Sequence, residues 1–232
     1  MDFQNITCFF DVLNRSNINY LVLRNFSNFN SESFLLDDHP DIDILCDDRD
    51  EFIKVSNCVA WKGNNKKWDK THAKINVSGR DISIDIRTVG DGYYCEKWQK
   101  DMLLSKKNES SLFFRPNDRH LFYSLIYHSI IQKPQLSDDY KRILSLLAKI
   151  NDVSIKSYDR KELIKLMESY MIENKYVYTY PSDKHVPLYT NNINKKLIAG
   201  NKKLYRIIYW SKINIIQLLV HFKRCIKCKT LF

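Results

Sequence analysis

The residues best placed to do chemistry are three aspartates in two strand-like stretches. In Asp41-Ile42-Asp43-Ile44 polar and apolar positions alternate, and they alternate again in Asp81-Ile82-Ser83-Ile84-Asp85-Ile86-Arg87. An extended chain sends successive side chains to opposite faces. Asp41 and Asp43 should therefore share one face about 6.6 Å apart while the isoleucines pack on the other. The later stretch offers Asp81, Ser83, Asp85 and Arg87 on one face, with Asp85, flanked by two isoleucines, as the natural third carboxylate. Three carboxylates on adjacent strands suit a pair of Mg2+ or Mn2+ ions. Two ions about 3.5–4 Å apart can stabilise both the attacking and the leaving oxygen of a transfer at phosphorus. On this reading Asp41 and Asp43 bridge the metals and the diphosphate of a donor. Asp85 lies nearest the acceptor hydroxyl, whose proton it accepts. Arg24 and Arg87 neutralise phosphate charge. Any one of these aspartates alone reads more readily as a solvated or helix-capping group; the combined pattern favours a site.

The elements that must position them follow from periodicity. Phe3 to Asn17 carries apolar residues at helical spacing, and Asn19 to Arg24 reads as a buried strand. The Asn-, Ser- and Asp-rich segment 25–40 reads as a loop across the mouth of the site. Asp48 to Ser56 reads as a helix, Asn57 to Trp61 as a short strand, and Gly63-Asn64-Asn65 as a turn before the basic, aromatic Lys66-Lys67-Trp68. His72 to Val77 and Asp81 to Val89 should pair as a hairpin through Ser78-Gly79-Arg80. His72 and Lys74 would then alternate on the strand beside Asp85. After Gly90-Asp91-Gly92 the pattern turns helical and stays so, over Cys95–Ser105, Pro116–Gln132, Leu136–Ile150 and Arg160–Glu173, with Pro116 and Ser137 as helix starters. The stretch 176–191 breaks the period and reads as irregular or lid-like. The expected class is α/β (α+β): a small mixed sheet over 1–110, a helical subdomain over 111–194 and a basic amphipathic tail over 195–232.

That tail holds the charge excess. The chain of 232 residues has 37 basic and 27 acidic residues, and ten of the basic ones and none of the acidic ones fall in 195–232, so the body is neutral. Between 201 and 228 the apolar residues Leu204, Ile208, Ile215, Leu218, Leu219 and Phe222 recur as one helical stripe, with cations at both ends. Such a helix suits an anionic membrane surface. A plain core helix and a nucleic-acid arm are the alternatives, the last disfavoured by the neutral body. The acid in Met1-Asp2-Phe3 does not resemble the basic flank of a signal peptide, and no uninterrupted apolar run reaches about 18 residues. The expected location is cytoplasmic, peripheral on the inner face of the cell membrane. The cysteines read as small core residues in a reducing compartment, and Cys225-Ile226-Lys227-Cys228 is a lone CxxC with no second pair.

Taken together, Tyr20-Leu21-Val22-Leu23-Arg24-Asn25, His39-Pro40-Asp41-Ile42-Asp43-Ile44-Leu45 and Ile84-Asp85-Ile86-Arg87 resemble the nucleotidyltransferase superfamily with the DNA polymerase β-like fold. Within it the chain is most similar to the bacterial cell-surface polysaccharide branch related to phosphocholine and fukutin-type phosphotransferases. The resemblance covers roughly residues 15–135. It implies a metal-binding Asp41, Asp43 and Asp85. It also implies a CDP-linked donor whose phospho-group, such as glycerol or ribitol phosphate, passes to a saccharide or lipid-linked glycan. Polymerising members carry a Gly-Ser pair before the DxD strand whose amides cradle a triphosphate. This chain has Arg24-Asn25-Phe26-Ser27 there, so Arg24 and Asn25 would substitute with side-chain donors and a nucleotide diphosphate donor is favoured. The resemblance also directs His128 toward the donor, with Lys133 beside it, although such a helical histidine more often packs or caps. Gly90-Asp91-Gly92-Tyr93-Tyr94 is either a sugar or base seat or a plain strand-to-helix turn, and Trp68 either stacks on a ligand or caps the core. Two further functions stay open: transfer of a nucleoside monophosphate from an NTP to a small molecule or protein, and a non-catalytic membrane- or nucleic-acid-binding module.

Overall fold

The structure is a computed structural model that describes residues 2–26, 29, 40–60, 72–183 and 186–199, together with positions 207, 211, 214, 215, 218 and 219. The expected loop over 25–40 lies mostly outside the described residues, as do the turn at Gly63, Trp68 and the Cys225/Cys228 pair. The first compact unit comprises residues 1–91 and 96–121, and the second comprises 92–95 and 122–232.

The first unit is built on a mixed sheet. Its strands are β1 (Asp2–Phe3), β2 (Tyr20–Val22), β3 (Asp41–Cys46), β4 (Val59–Ala60), β5 (His72–Val77) and β6 (Arg80–Thr88), in the order β1-β5-β6-β3-β2 with β4 beside β5. Strands β3 and β6 run parallel at its centre, β2 is antiparallel to β3, and β5 and β6 form an antiparallel hairpin. The hairpin turn has φ of 52° at Ser78 and 80° at Gly79, the paired left-handed conformations that match strand twist. The alternation read in the sequence is realised. Ile42, Ile44 and Cys46 of β3 and Ile82, Ile84 and Ile86 of β6 join one buried cluster with Phe9, Phe10 and Leu13 of α1 (Ile6–Arg15) and Phe52 of α2 (Arg49–Ser56). Both helices start on side-chain caps: Asn5 Oδ1 accepts from the Cys8 amide at 2.9 Å and Asp48 Oδ1 from the Glu51 amide at 2.9 Å. Burial pushes the Cys46 thiol up to about 12 and the Cys58 thiol to about 11, so both stay protonated as small apolar side chains.

Beyond β6 the fold departs from the continuous helical run expected there. After α3 (Glu96–Leu104), β7 (Lys107–Glu109) and β8 (Phe113–Arg115) form a separate antiparallel hairpin. Strands of three residues are too short to display a period. Lys107-Asn108-Glu109 has no apolar residue, and the left-handed turn positions are Ser110 and Ser111 rather than glycines. Lys106, just before the hairpin, donates to Asn19 Oδ1 at 2.7 Å and to the Tyr20 carbonyl at 3.4 Å, which covers part of the β2 edge.

The second unit holds the rest of α4 (Asp118–Ile131), α5 (Asp138–Ile150), α6 (Arg160–Asn174) and an irregular segment after it. Ser137 and Asp159 cap α5 and α6 by accepting from the Tyr140 and Glu162 amides. The Tyr123 and Tyr170 rings stack at 3.9 Å between centroids, and Leu144, Leu163 and Met167 are fully buried. Residues 92–95 are sewn into this unit. The Tyr94 hydroxyl donates to the Ser124 carbonyl at 3.3 Å, and the Thr179 hydroxyl donates to the Gly92 carbonyl at 2.9 Å. Among the described residues no helix is long and apolar enough to cross a membrane.

Candidate functional site

The register of the central strands decides which side chains can meet. Asp43 is paired with Asp85 across the parallel β3–β6 ladder, and Asp41 with Ser83. In the antiparallel β5–β6 pair His72 lies opposite Asp85 and Lys74 opposite Ser83. Side chains paired in register project to the same face. Asp41, Asp43, Asp85, Arg87, His72 and Lys74 therefore all stand on the face opposite the α1–α2 core. Toward β2 that face is apolar and closed: Leu21 and Leu45 are fully buried, and α3, with Trp98 and Met102 inaccessible, packs against β3. Burial falls away across the group. Asp43 is 2% exposed, the Asp85 side chain is 26% exposed and Asp41 is exposed.

Cations hold Asp43 and Asp85. Arg24 Nη2 donates to Asp43 Oδ1 at 2.6 Å, and both groups are buried. The Leu23 amide donates to the Asp43 carbonyl at 2.8 Å, which extends the β2–β3 ladder by one bond and brings Arg24 to the site. Arg87 Nη2 donates to Asp85 Oδ2 at 3.3 Å, and His72 Nε2 lies 3.4 Å from Asp85 Oδ1. A carboxylate held between an arginine and an imidazole is fixed in orientation, and the Asp85 side chain, 26% exposed, remains accessible from solvent.

The other expected residues sit elsewhere or farther along. Lys74 pairs with Asp81 at the hairpin end of the sheet, where that contact draws the Asp81 carboxyl below the usual carboxylate range. Asn25 is exposed with φ of 60°, directly after Arg24. His128 and Lys133 belong to the second unit. His128 Nδ1 is buried, 3.2 Å from the Tyr93 hydroxyl and 2.9 Å from Gln132 Oε1, while Lys133 is exposed just past α4. Tyr93 and Tyr94 are buried, so of the two readings of residues 90–94 the structure supports the turn.

The sequence offered no sign of what braces that turn. Gln99 of α3, fully buried, donates to Asp91 Oδ1 at 2.7 Å and to the Thr88 carbonyl at 3.2 Å, and accepts from the Gly90 amide at 2.9 Å. Asp91 Oδ2 accepts from the Thr88 amide at 3.1 Å. The end of β6 that carries Arg87 is thereby tied to α3. A helical glutamine has no sequence pattern that marks it as a strand anchor.

Among the described residues no group of three or more His, Cys, Asp or Glu side chains is arranged to hold a metal ion. The donor chemistry of Asp41, Asp43 and Asp85 is the all-oxygen kind that hard divalent cations take. The register sets Asp43 and Asp85 on strands about 4.8 Å apart. The donors fit in type, and Asp43 and Asp85 adjoin across the ladder, with Arg24 on Asp43 and Arg87 and His72 on Asp85. Comparison with protein-family models, curated proteins and solved structures yields no match.

Proposed function

We propose that the chain is a metal-dependent transferase of the nucleotidyltransferase type. It moves a phospho-group, such as an alditol phosphate, from a CDP-linked donor to a saccharide or lipid-linked glycan at the inner face of the cell membrane: the acceptor oxygen bonds the transferred phosphorus, the bond to the bridging pyrophosphate oxygen breaks, and CMP leaves. The observation that carries this reading is the pairing of Asp43 with Asp85 across the β3–β6 ladder, with Asp41 on the same face. Mg2+ or Mn2+ held by Asp41, Asp43 and Asp85 would supply Lewis-acid stabilisation of charge developing on the phosphoryl oxygens. Asp85, oriented by Arg87 and His72, accepts the proton of the acceptor hydroxyl. Arg24 and Arg87, each with a fork of donors, bind and orient the donor phosphates, a role that planar guanidinium groups fill better than lysine. Asn25 adds a side-chain donor beside Arg24.

A ligand panel tests this reading. The full chain is melted with CDP, CDP-glycerol, CDP-ribitol, CDP-choline and NTPs, with and without Mg2+. A rise in melting temperature with a CDP-linked compound that requires Mg2+ is the expected result. Stabilisation by NTPs and by no CDP compound would replace this reading with nucleotidyl transfer.

A further inference from the structure

The tail presents an arc of apolar side chains that nothing in the proposed chemistry uses. Positions 207, 211, 214, 215, 218 and 219 are helical, and their spacings of four, three, one, three and one residues place them on one side of a helix. Ile207, Ile215, Leu218 and Leu219 on that side are 54–62% exposed, which rules out a core helix for them. Ser211 and Asn214 are small polar interruptions on the same arc. Exposed large apolar residues in a row mark a surface meant to be covered.

The charge of the segment selects the cover. Residues 195–232 contain ten Lys or Arg and no Asp or Glu. A second copy of this chain would bring ten further cations against them, so self-association through the tail is opposed. A nucleic acid would answer the charge and leave the isoleucines and leucines in water. A bilayer surface rich in anionic lipid answers both: the headgroups neutralise the cations, and the apolar arc enters the boundary beneath them.

We infer that the tail is a docking surface for anionic lipid, seated through Ile207, Ile215, Leu218 and Leu219. This rests on the proposed reading only for the location of the acceptor, and lipid binding is measured without turnover. The full chain is floated with vesicles of phosphatidylcholine alone and of phosphatidylcholine mixed with phosphatidylglycerol, alongside Ile215→Glu/Leu218→Glu and Asp85→Asn. The wild type is expected to float with the mixed vesicles and not with phosphatidylcholine alone. Asp85→Asn should float equally, and the double variant should lose flotation several-fold while its melting temperature is unchanged. Three results overturn the inference: no flotation with mixed vesicles, equal flotation of the double variant, or tight binding of a duplex oligonucleotide by both forms with no flotation of either. A chain that floats yet is not stabilised by any CDP-linked compound refutes the transferase reading and leaves the lipid surface standing; the converse result separates them the other way.

Discussion

At individual residues, the candidate site holds charges removed from water. Asp43 and Arg24 are both buried, and deleting one partner of such a pair leaves an uncompensated ion in a poorly solvating interior. Arg24→Ala should cost about 3–5 kcal/mol in urea unfolding, whereas Arg24→Met/Asp43→Leu, which removes both charges, should recover most of that loss. A double-mutant cycle on the two positions measures this. His120 makes a separate prediction. Burial pushes its pKa down to about 4 from the ordinary 6.5, so the folded chain holds it neutral where the unfolded chain takes up a proton. Its contribution is fully present above pH 6.5 and is lost progressively as pH falls toward 4. His120→Gln should flatten the decline in stability over that window, read from urea midpoints at pH 7 and pH 5.

At the element level the strand-to-helix turn contains one position that tolerates no side chain, Gly92. Gly90 and Gly92 both have positive φ, 87° and 76°, but a side chain at Gly90 would meet open space, whereas one at Gly92 would come within 2.2 Å of the Tyr180 carbonyl oxygen. Gly92→Ala should therefore lower stability by clearly more than about 1 kcal/mol, and by more than Gly90→Ala, where only backbone strain acts. Parallel thermal melts of the two variants check the order. Strands β3, β5 and β6 and helices α1 to α6 were legible, because Ile42/Ile44 and Ile82/Ile84/Ile86 alternate, apolar residues recur at helical spacing and Ser137 starts α5. Hairpin β7–β8 was not, since its edges lack apolar residues and its turn lacks glycine. The Arg24, Arg87 and His72 contacts to carboxylates were only partly legible. Alternation assigns a face, but the pairing of His72 opposite Asp85, and of Lys74 with Asp81 instead, depends on hairpin register. Gln99 could not be foreseen, because its partners are backbone groups eleven and nine residues away and a side chain eight residues away.

For the whole molecule, the chain joins a sheet-based unit carrying the three aspartates to a helical unit of stacked tyrosines, and residues 195–232 are cationic. The proposed reading assigns the chemistry to the first of these and the meeting with lipid to the last. Its central claim is that Asp41, Asp43 and Asp85 act as one metal-binding set. Mn2+ titration of the full chain followed by electron paramagnetic resonance tests that without any assumption about the donor. The account predicts saturable Mn2+ binding that weakens at least about tenfold in Asp85→Asn and in Asp43→Asn. Binding of equal strength in wild type and Asp85→Asn, or no Mn2+ binding by the folded wild type, would contradict it.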